Sequence, residues 1–202
     1  MEPEPRRSPL SLAVLGLLAG GPLHPYRIQQ LLKEWGKDAV INVGQRSNLY
    51  KAIKRLNDAG FIAVKQTERD QQYPERTVYE ITKSGWSTTV DWLNEMIDSP
   101  KNEFPEFPAA LSFLMLLGPK AAKAALERRK EKLKAKLDEL DRELNQYLDS
   151  LPRVVLMETE YLRAVVAAEI TWLQSVISDL KSGSLTWSKD DMVSAVDAYK
   201  LD

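Results

Sequence analysis

A chain of 202 residues, 44% hydrophobic and 28% charged, has the composition of a soluble globular protein of one large or two small domains; its net charge of -1 does not by itself point to a polyanionic partner. Cysteine is absent and His24 is the only histidine, which excludes disulfides, thiolate metal sites and histidine-rich metal centres, so no metal and no cofactor is expected. No apolar run approaches the roughly 18 residues that cross a bilayer, and the chain reads as cytoplasmic, with no membrane partner.

Residues 1–9 are polar and proline-rich and read as a flexible arm. The short apolar stretch Leu10 to Ala19 imitates the core of a signal peptide, but it runs directly into a helix that the following domain needs, so it reads as a buried helix stopping at Gly20-Gly21. Pro25 suits the first turn of a second helix, and Ile28, Leu31, Leu32 and Trp35 share one of its faces. A third helix is expected over Gln45 to Ala59, with Leu49, Ala52, Ile53 and Leu56 turned inward and Gly60 as its stop. Three short helices punctuated by glycine form the helix-turn-helix pattern.

Phe61 to Thr67 and Thr77 to Ile81 alternate around the polar tract 68–75, which predicts a β-hairpin, placed as a wing directly after the third helix. Thr82 can cap a fourth helix to about Ile97, with Trp86, Val90, Leu93 and Ile97 on one side. Residues 10–99 thus read as a winged helix-turn-helix domain and 100–108, with three prolines, as a linker.

Residues 109–202 read as an all-helical dimerisation and effector domain, making the whole chain mainly α with a two-stranded wing. Ala109 to Leu117 is nearly all apolar and is expected to be buried. A long charged helix follows from Lys120 to Leu151. Leu126, Leu133 and Leu140 lie seven apart and Leu137 and Leu144 form a companion series, a heptad seam expected to meet a second copy of the chain. Arg153 to Lys181 is a helix apolar on much of its circumference, and Ser188 with Asp191 forms a capping box for a last helix over 189–200.

Charge is concentrated where the third helix lies: residues 45–65 carry Arg46, Lys51, Lys54, Arg55 and Lys65 against Asp58, 5 - 1 = +4. With the apolar stripe inward, 100° per residue places Ser47, Lys51, Lys54 and Asp58 outward, with Tyr50 and Arg55 on the flanks. Recognition helices read the major groove with their N-terminal residues, which here are Gln45, Arg46, Ser47 and Asn48. Arginine and glutamine can contact guanine and adenine in a bidentate way, and Asn48 can read adenine. Lys51, Lys54 and Arg55 suit phosphates, and Arg69 and Arg76 in the wing can reach backbone or minor groove. Double-stranded DNA is the expected partner. A solvated charged face is the plainer reading of one such helix, but its place between two core helices and a basic hairpin favours DNA.

The segments Leu15-Gly16-Leu17-Leu18, Gly21-Pro22-Leu23-His24-Pro25-Tyr26, Ser47 to Leu56, Ala59-Gly60-Phe61-Ile62 and Val78 to Gly85 resemble PadR-type transcriptional regulators. The second half, with its ending Gly183-Ser184-Leu185-Thr186-Trp187, resembles the longer subgroup of that family. The resemblance implies a homodimer that represses promoters from a palindromic operator and is often released by a small, frequently aromatic, effector. Pro25 stands where glycine is common, and the helix opening Gly44-Gln45-Arg46-Ser47-Asn48 is richer in polar side chains than the family's short form, so no operator sequence carries over.

His24 and Trp92 are candidates for effector contact; His24 reads more simply as a structural residue at the entry to the second helix, and Trp92, off the apolar stripe of the fourth, is placed to face the second half or a partner. No catalytic residues are expected: there is no Walker loop, no His-Glu-x-x-His and no nucleophile elbow. A reading from another class is an adaptor whose winged helix binds protein and whose heptads assemble a complex; the basic outer face of the third helix speaks against it.

Overall fold

A computed structural model describes residues 7–37, 40–42, 46–70, 73–188, 190, 191 and 194, with the backbone alone at 46, 67–70 and 73–76. The chain divides into two compact units between Asn102 and Glu103.

In the first unit, α1 (Pro9–Ala19) starts at Ser8, whose hydroxyl accepts the Ser11 N–H at 3.1 Å, so Ser8 and Pro9 belong to the helix start rather than to an arm. α2 spans Pro25–Glu34 and α3 spans Arg46–Asp58. β1 (Ile62–Asp70) and β2 (Tyr73–Ile81) pair antiparallel, in the register Ile62 opposite Ile81 and Val64 opposite Tyr79. The hairpin is longer than the alternation predicts, because its polar residues 68–70 and 73–76 continue the two strands. Leu23 bonds Tyr79 through both backbone groups, tying the α1–α2 connection to the wing.

The core of this unit is Val14, Leu15 and Leu18 of α1, Ile28 and Leu32 of α2, Leu49, Ile53 and Leu56 of α3, and Ile62 of β1. α4 (Lys83–Asp98) closes it on an unexpected side. Trp86, Val90, Leu93 and Ile97 do share a face, but that face is exposed: Trp86 is 54% and Ile97 81% accessible. The inward face carries Gly85, Thr89 and Trp92 instead. Small residues win there because the backbone of α4 comes very close to the α3–β1 turn. A Cβ on Gly85 would lie 1.9 Å from the Phe61 carbonyl oxygen.

In the second unit, α5 is short (Glu106–Leu111), followed by a single 3-10 turn at Leu114–Leu116. Residues 106–108 therefore belong to a helix and not to the linker. Neither element has a buried residue, and Phe113, Leu116 and Leu117 are exposed, so the expectation that 109–117 is a buried helix does not hold. Proline at 108 and the break at Ser112 keep the segment from forming a regular apolar face.

Two long helices, α6 (Pro119–Tyr147) and α7 (Arg153–Ser182), pack along each other. The heptad leucines of α6 are used here, within one chain. Leu126 is buried against Leu173 and Ile177, with Leu133 packed on the same cluster; Leu140 is buried, and Leu137 and Leu144 are half-buried. Leu126 and Leu140 are thus buried without a second copy, whereas Leu133, Leu137 and Leu144 keep part of their surface accessible. The reason is effective concentration: α7 begins five residues after α6 ends, and a tethered apolar helix outcompetes a free one for the seam. Ion pairs Arg129–Glu169, Arg163–Asp141 and Lys181–Glu127 fix the pairing along its length.

α7 buries Leu156, Thr159, Ile170, Leu173 and Ile177 on that side. Its other side shows Val154, Met157, Tyr161, Val165 and Trp172 to solvent. Gly183, with φ of 81°, ends α7 in the left-handed conformation. Trp187 then donates its indole N–H to the Leu117 carbonyl at 2.7 Å. Ser188 and Asp191 form the reciprocal cap, and the two hydrogen bonds from Ser188 hold the Asp191 carboxyl below its ordinary pKa. Most of the helix expected over 189–200 lies outside the described residues.

Leu173 is fully buried between the two long helices, so Leu173→Ala should lower the stability of the full-length protein by about 2–5 kcal/mol. Leu148→Ala, on the exposed end of the hairpin, should change it by less than about 0.5 kcal/mol. Urea unfolding followed by circular dichroism measures both.

Candidate nucleic-acid interface

The interface is built from the inside. Leu49, Ala52, Ile53 and Leu56 are all buried, so the opposite side of α3 has no choice but to face water. Ser47, Asn48, Tyr50, Lys51, Lys54, Arg55 and Asp58 are exposed. Arg46 opens the helix, while Gln45 lies outside the described residues. In the wing, Arg69 lies in β1 and Arg76 in β2, where it stands opposite Glu68.

The cations differ in how they are held. Lys54 pairs with Asp58 one turn later at 2.5 Å, and Lys65 pairs with Glu80 across the hairpin at 3.1 Å. Lys51 and Arg55 form no ion pair among the described residues. The local charge of +4 read from the sequence is thus partly neutralised in place, and two cations on one edge of α3 are left for an outside anion.

Two devices set the reading helix against its neighbours. The first is the entry of α2, where His24 accepts the Tyr26 N–H on Nδ1 at 3.1 Å and Pro25 follows as the first helical residue. His24 is thus a helix cap. The second is a node under the α3–β1 turn. Thr82 donates its hydroxyl to the Gly60 carbonyl at 2.7 Å and accepts the Gly85 N–H at 3.0 Å. Its own N–H bonds the Phe61 carbonyl at 3.0 Å, and Ser84 donates to the Gly60 carbonyl at 3.1 Å. Trp92 stacks edge-on against Phe61 with ring centroids 6.1 Å apart, so it is part of the core of the first unit.

The end of α3, the start of β1, the end of β2 and the start of α4 therefore meet at one place. Sequence reasoning saw Thr82 as a cap but missed this wider role; the Thr-x-Ser-Gly spacing after a strand was the available signal. Among the described residues there is no group of three metal-ligating side chains and no helix long and apolar enough to cross a membrane.

A family model described as the transcriptional regulator PadR-like family matches residues 14–89, which span α1 to α4. The chain is 32% identical over 133 residues to the negative transcriptional regulator PadR of Bacillus subtilis, a match covering 61% of this chain and 69% of the relative. This chain belongs to the PadR-like family of transcriptional regulators. Its members are regulators and not enzymes.

Solved PadR structures extend the likeness over both units. B. subtilis PadR in complex with operator DNA is similar at TM-score 0.71 and 27% identity, over 87% of this chain and 99% of that one. B. subtilis PadR in complex with p-coumaric acid is similar at TM-score 0.68 and 25% identity, over 85% and 98% of the two chains. The Vibrio cholerae virulence activator AphA, at 17% identity and TM-score 0.64 over 86% and 98%, shares the fold.

In this PadR-like chain, Gly85→Ala should cost more than about 2 kcal/mol, since its methyl would meet a backbone carbonyl that cannot move aside. Thr82→Val should cost about 1–2 kcal/mol through the lost cap and the lost hydrogen bond to the Gly60 carbonyl, and Thr82→Ser should recover most of that. Thermal or urea unfolding of the three variants checks the order.

Proposed function

We propose that this regulator is a repressor that binds a palindromic operator as a homodimer, with α3 in the major groove, and that a small aromatic molecule releases it. The observation that carries the reading is the outer face of α3. A closed apolar core beneath it leaves Asn48, Lys51, Lys54 and Arg55 outward, in a chain similar at 27% identity to a protein solved on its operator. Repression rests on the relative that is a negative regulator, and the aromatic effector on the neighbour solved with p-coumaric acid. His24 caps α2 and Trp92 packs on Phe61, so their proposed contact with an effector would use side chains already engaged in the fold.

For the dimer, the surface on offer is the outer face of α7. Val154, Met157, Tyr161, Val165 and Trp172 follow one another at spacings of three, four, four and seven, a second seam left after α6 has taken the first. One winged helix makes few base contacts; two held about 34 Å apart read a palindrome.

Three outcomes are expected. Lys54→Ala and Arg55→Ala should weaken binding to any duplex and lower the salt slope by about one each, whereas Arg46→Ala, in the first turn of α3, should relax sequence preference at a cost of about 1–3 kcal/mol. Fluorescence anisotropy against the protein's own upstream DNA, over a range of salt, separates the two kinds of effect. Light scattering should give twice the 22.9 kDa chain mass, and Tyr161→Asp should shift it toward one. p-Coumarate should lower the affinity for the upstream DNA; an unchanged affinity would remove the proposed effector class.

A further inference from the structure

A cleft of about 310 Å³ lies between the start of α1 and one edge of α3. Its wall on α3 is Asn48, Lys51, Ala52 and Arg55, and Asn42 from the α2–α3 connection closes the rim. Among the described residues, no acidic side chain lines it. Lys51 and Arg55 are the two cations of α3 that no carboxylate engages among the described residues, in contrast to Lys54. Asn42 and Asn48 are exposed and bring amide donors to the same space.

The geometry of a groove gives this edge a meaning. The major groove is about 12 Å wide, and a helix with its side chains is about 10–12 Å across. A helix that reads base edges with its centre must therefore lay its two flanks along the two phosphate backbones. On α3, 100° per residue puts Ser47 at the centre of the exposed face, Lys51 and Lys54 about 30° to either side of it, and Arg55 and Asn48 further round on the Lys51 side, at the edge toward α1.

We infer that this cleft is the seat of a single DNA backbone phosphate, clamped by Lys51 and Arg55 with Asn42 and Asn48 as amide donors, and that it fixes the depth and tilt at which α3 enters the groove. The inference rests on the reading of α3 as the DNA-facing helix and adds to it a residue outside that helix, Asn42. A phosphate seated there would position the protein without reading sequence.

The test uses the full-length protein and a duplex of its own upstream DNA, with a scrambled duplex beside it. Asn42→Asp puts a carboxylate on the rim and touches no core residue. Asn94→Asp, on the exposed side of α4, adds the same charge elsewhere. Asn42→Asp should weaken binding to both duplexes by at least about fivefold at low salt and lower the salt slope by about one, with an unchanged unfolding midpoint. Asn94→Asp should leave affinity within about twofold of wild type.

If Lys54→Ala weakens binding while Asn42→Asp matches Asn94→Asp, the cleft is not a phosphate seat and only α3 touches DNA. If Lys54→Ala is also silent, the inference falls with the reading it rests on. Inorganic phosphate titrated at constant ionic strength should leave the backbone amides of Asn42 and Asn48 unmoved in NMR spectra. Saturable shifts with phosphate alone would make the cleft an anion pocket in its own right and overturn the DNA assignment.

Discussion

Everything this regulator presents to DNA depends on the burial of one stripe of α3. Leu49, Ile53 and Leu56 go under Val14, Leu15 and Leu18 of α1 and Ile28 and Leu32 of α2, and once they do, the helix cannot rotate. Each fully buried side chain of this kind contributes about 1.5–3 kcal/mol relative to exposure, so turning these three outward would cost about 4.5–9 kcal/mol, comparable with a small domain's whole stability. The polar residues on the opposite face are therefore held out by the core.

The lock is polar. Thr82, Ser84 and Gly85 bring four chain segments within hydrogen-bond reach at the α3–β1 turn, and Gly85 is needed because only a residue without Cβ fits against the Phe61 carbonyl. The first unit holds the polar outer face of α3 at its surface, while the second uses its strongest apolar seam on itself. Leu126 and Leu140 are spent inside the α6–α7 pair, which leaves the α7 face from Val154 to Trp172 exposed.

Much of the fold was legible because periodicity reports burial wherever one face is apolar and the other polar. α2, α3 and α7 and the caps at Pro25, Thr82 and Ser188 follow from local chemistry alone. The failures share a cause: periodicity says that a face is apolar, not what covers it. The Trp86–Ile97 stripe of α4 is real yet faces outward, because the smaller face with Gly85 and Thr89 packs more closely. The heptads of α6 are real yet are satisfied within the chain. Ala109 to Leu117 is apolar in composition but has no period, and it formed a short helix and a turn rather than a buried element. The outward residues of α3 were readable from the wheel, whereas the place of Asn42 on the rim of the cleft was not, since nothing in a loop's sequence shows which cleft it borders. Counting charge over residues 45–65 overstates the positive charge there, because Lys65 has an acidic partner, Glu80, that only the hairpin brings near.

The central claim is that the outer face of α3 enters the major groove, twice, on opposite halves of a two-fold site. Dimethyl sulfate methylates guanine N7, which lies in that groove, so methylation protection on the upstream DNA tests it directly. The account predicts two clusters of protected guanines about one helical turn apart, related by a two-fold axis. Full methylation at the site of a bound protein, or a single protected cluster, would contradict it.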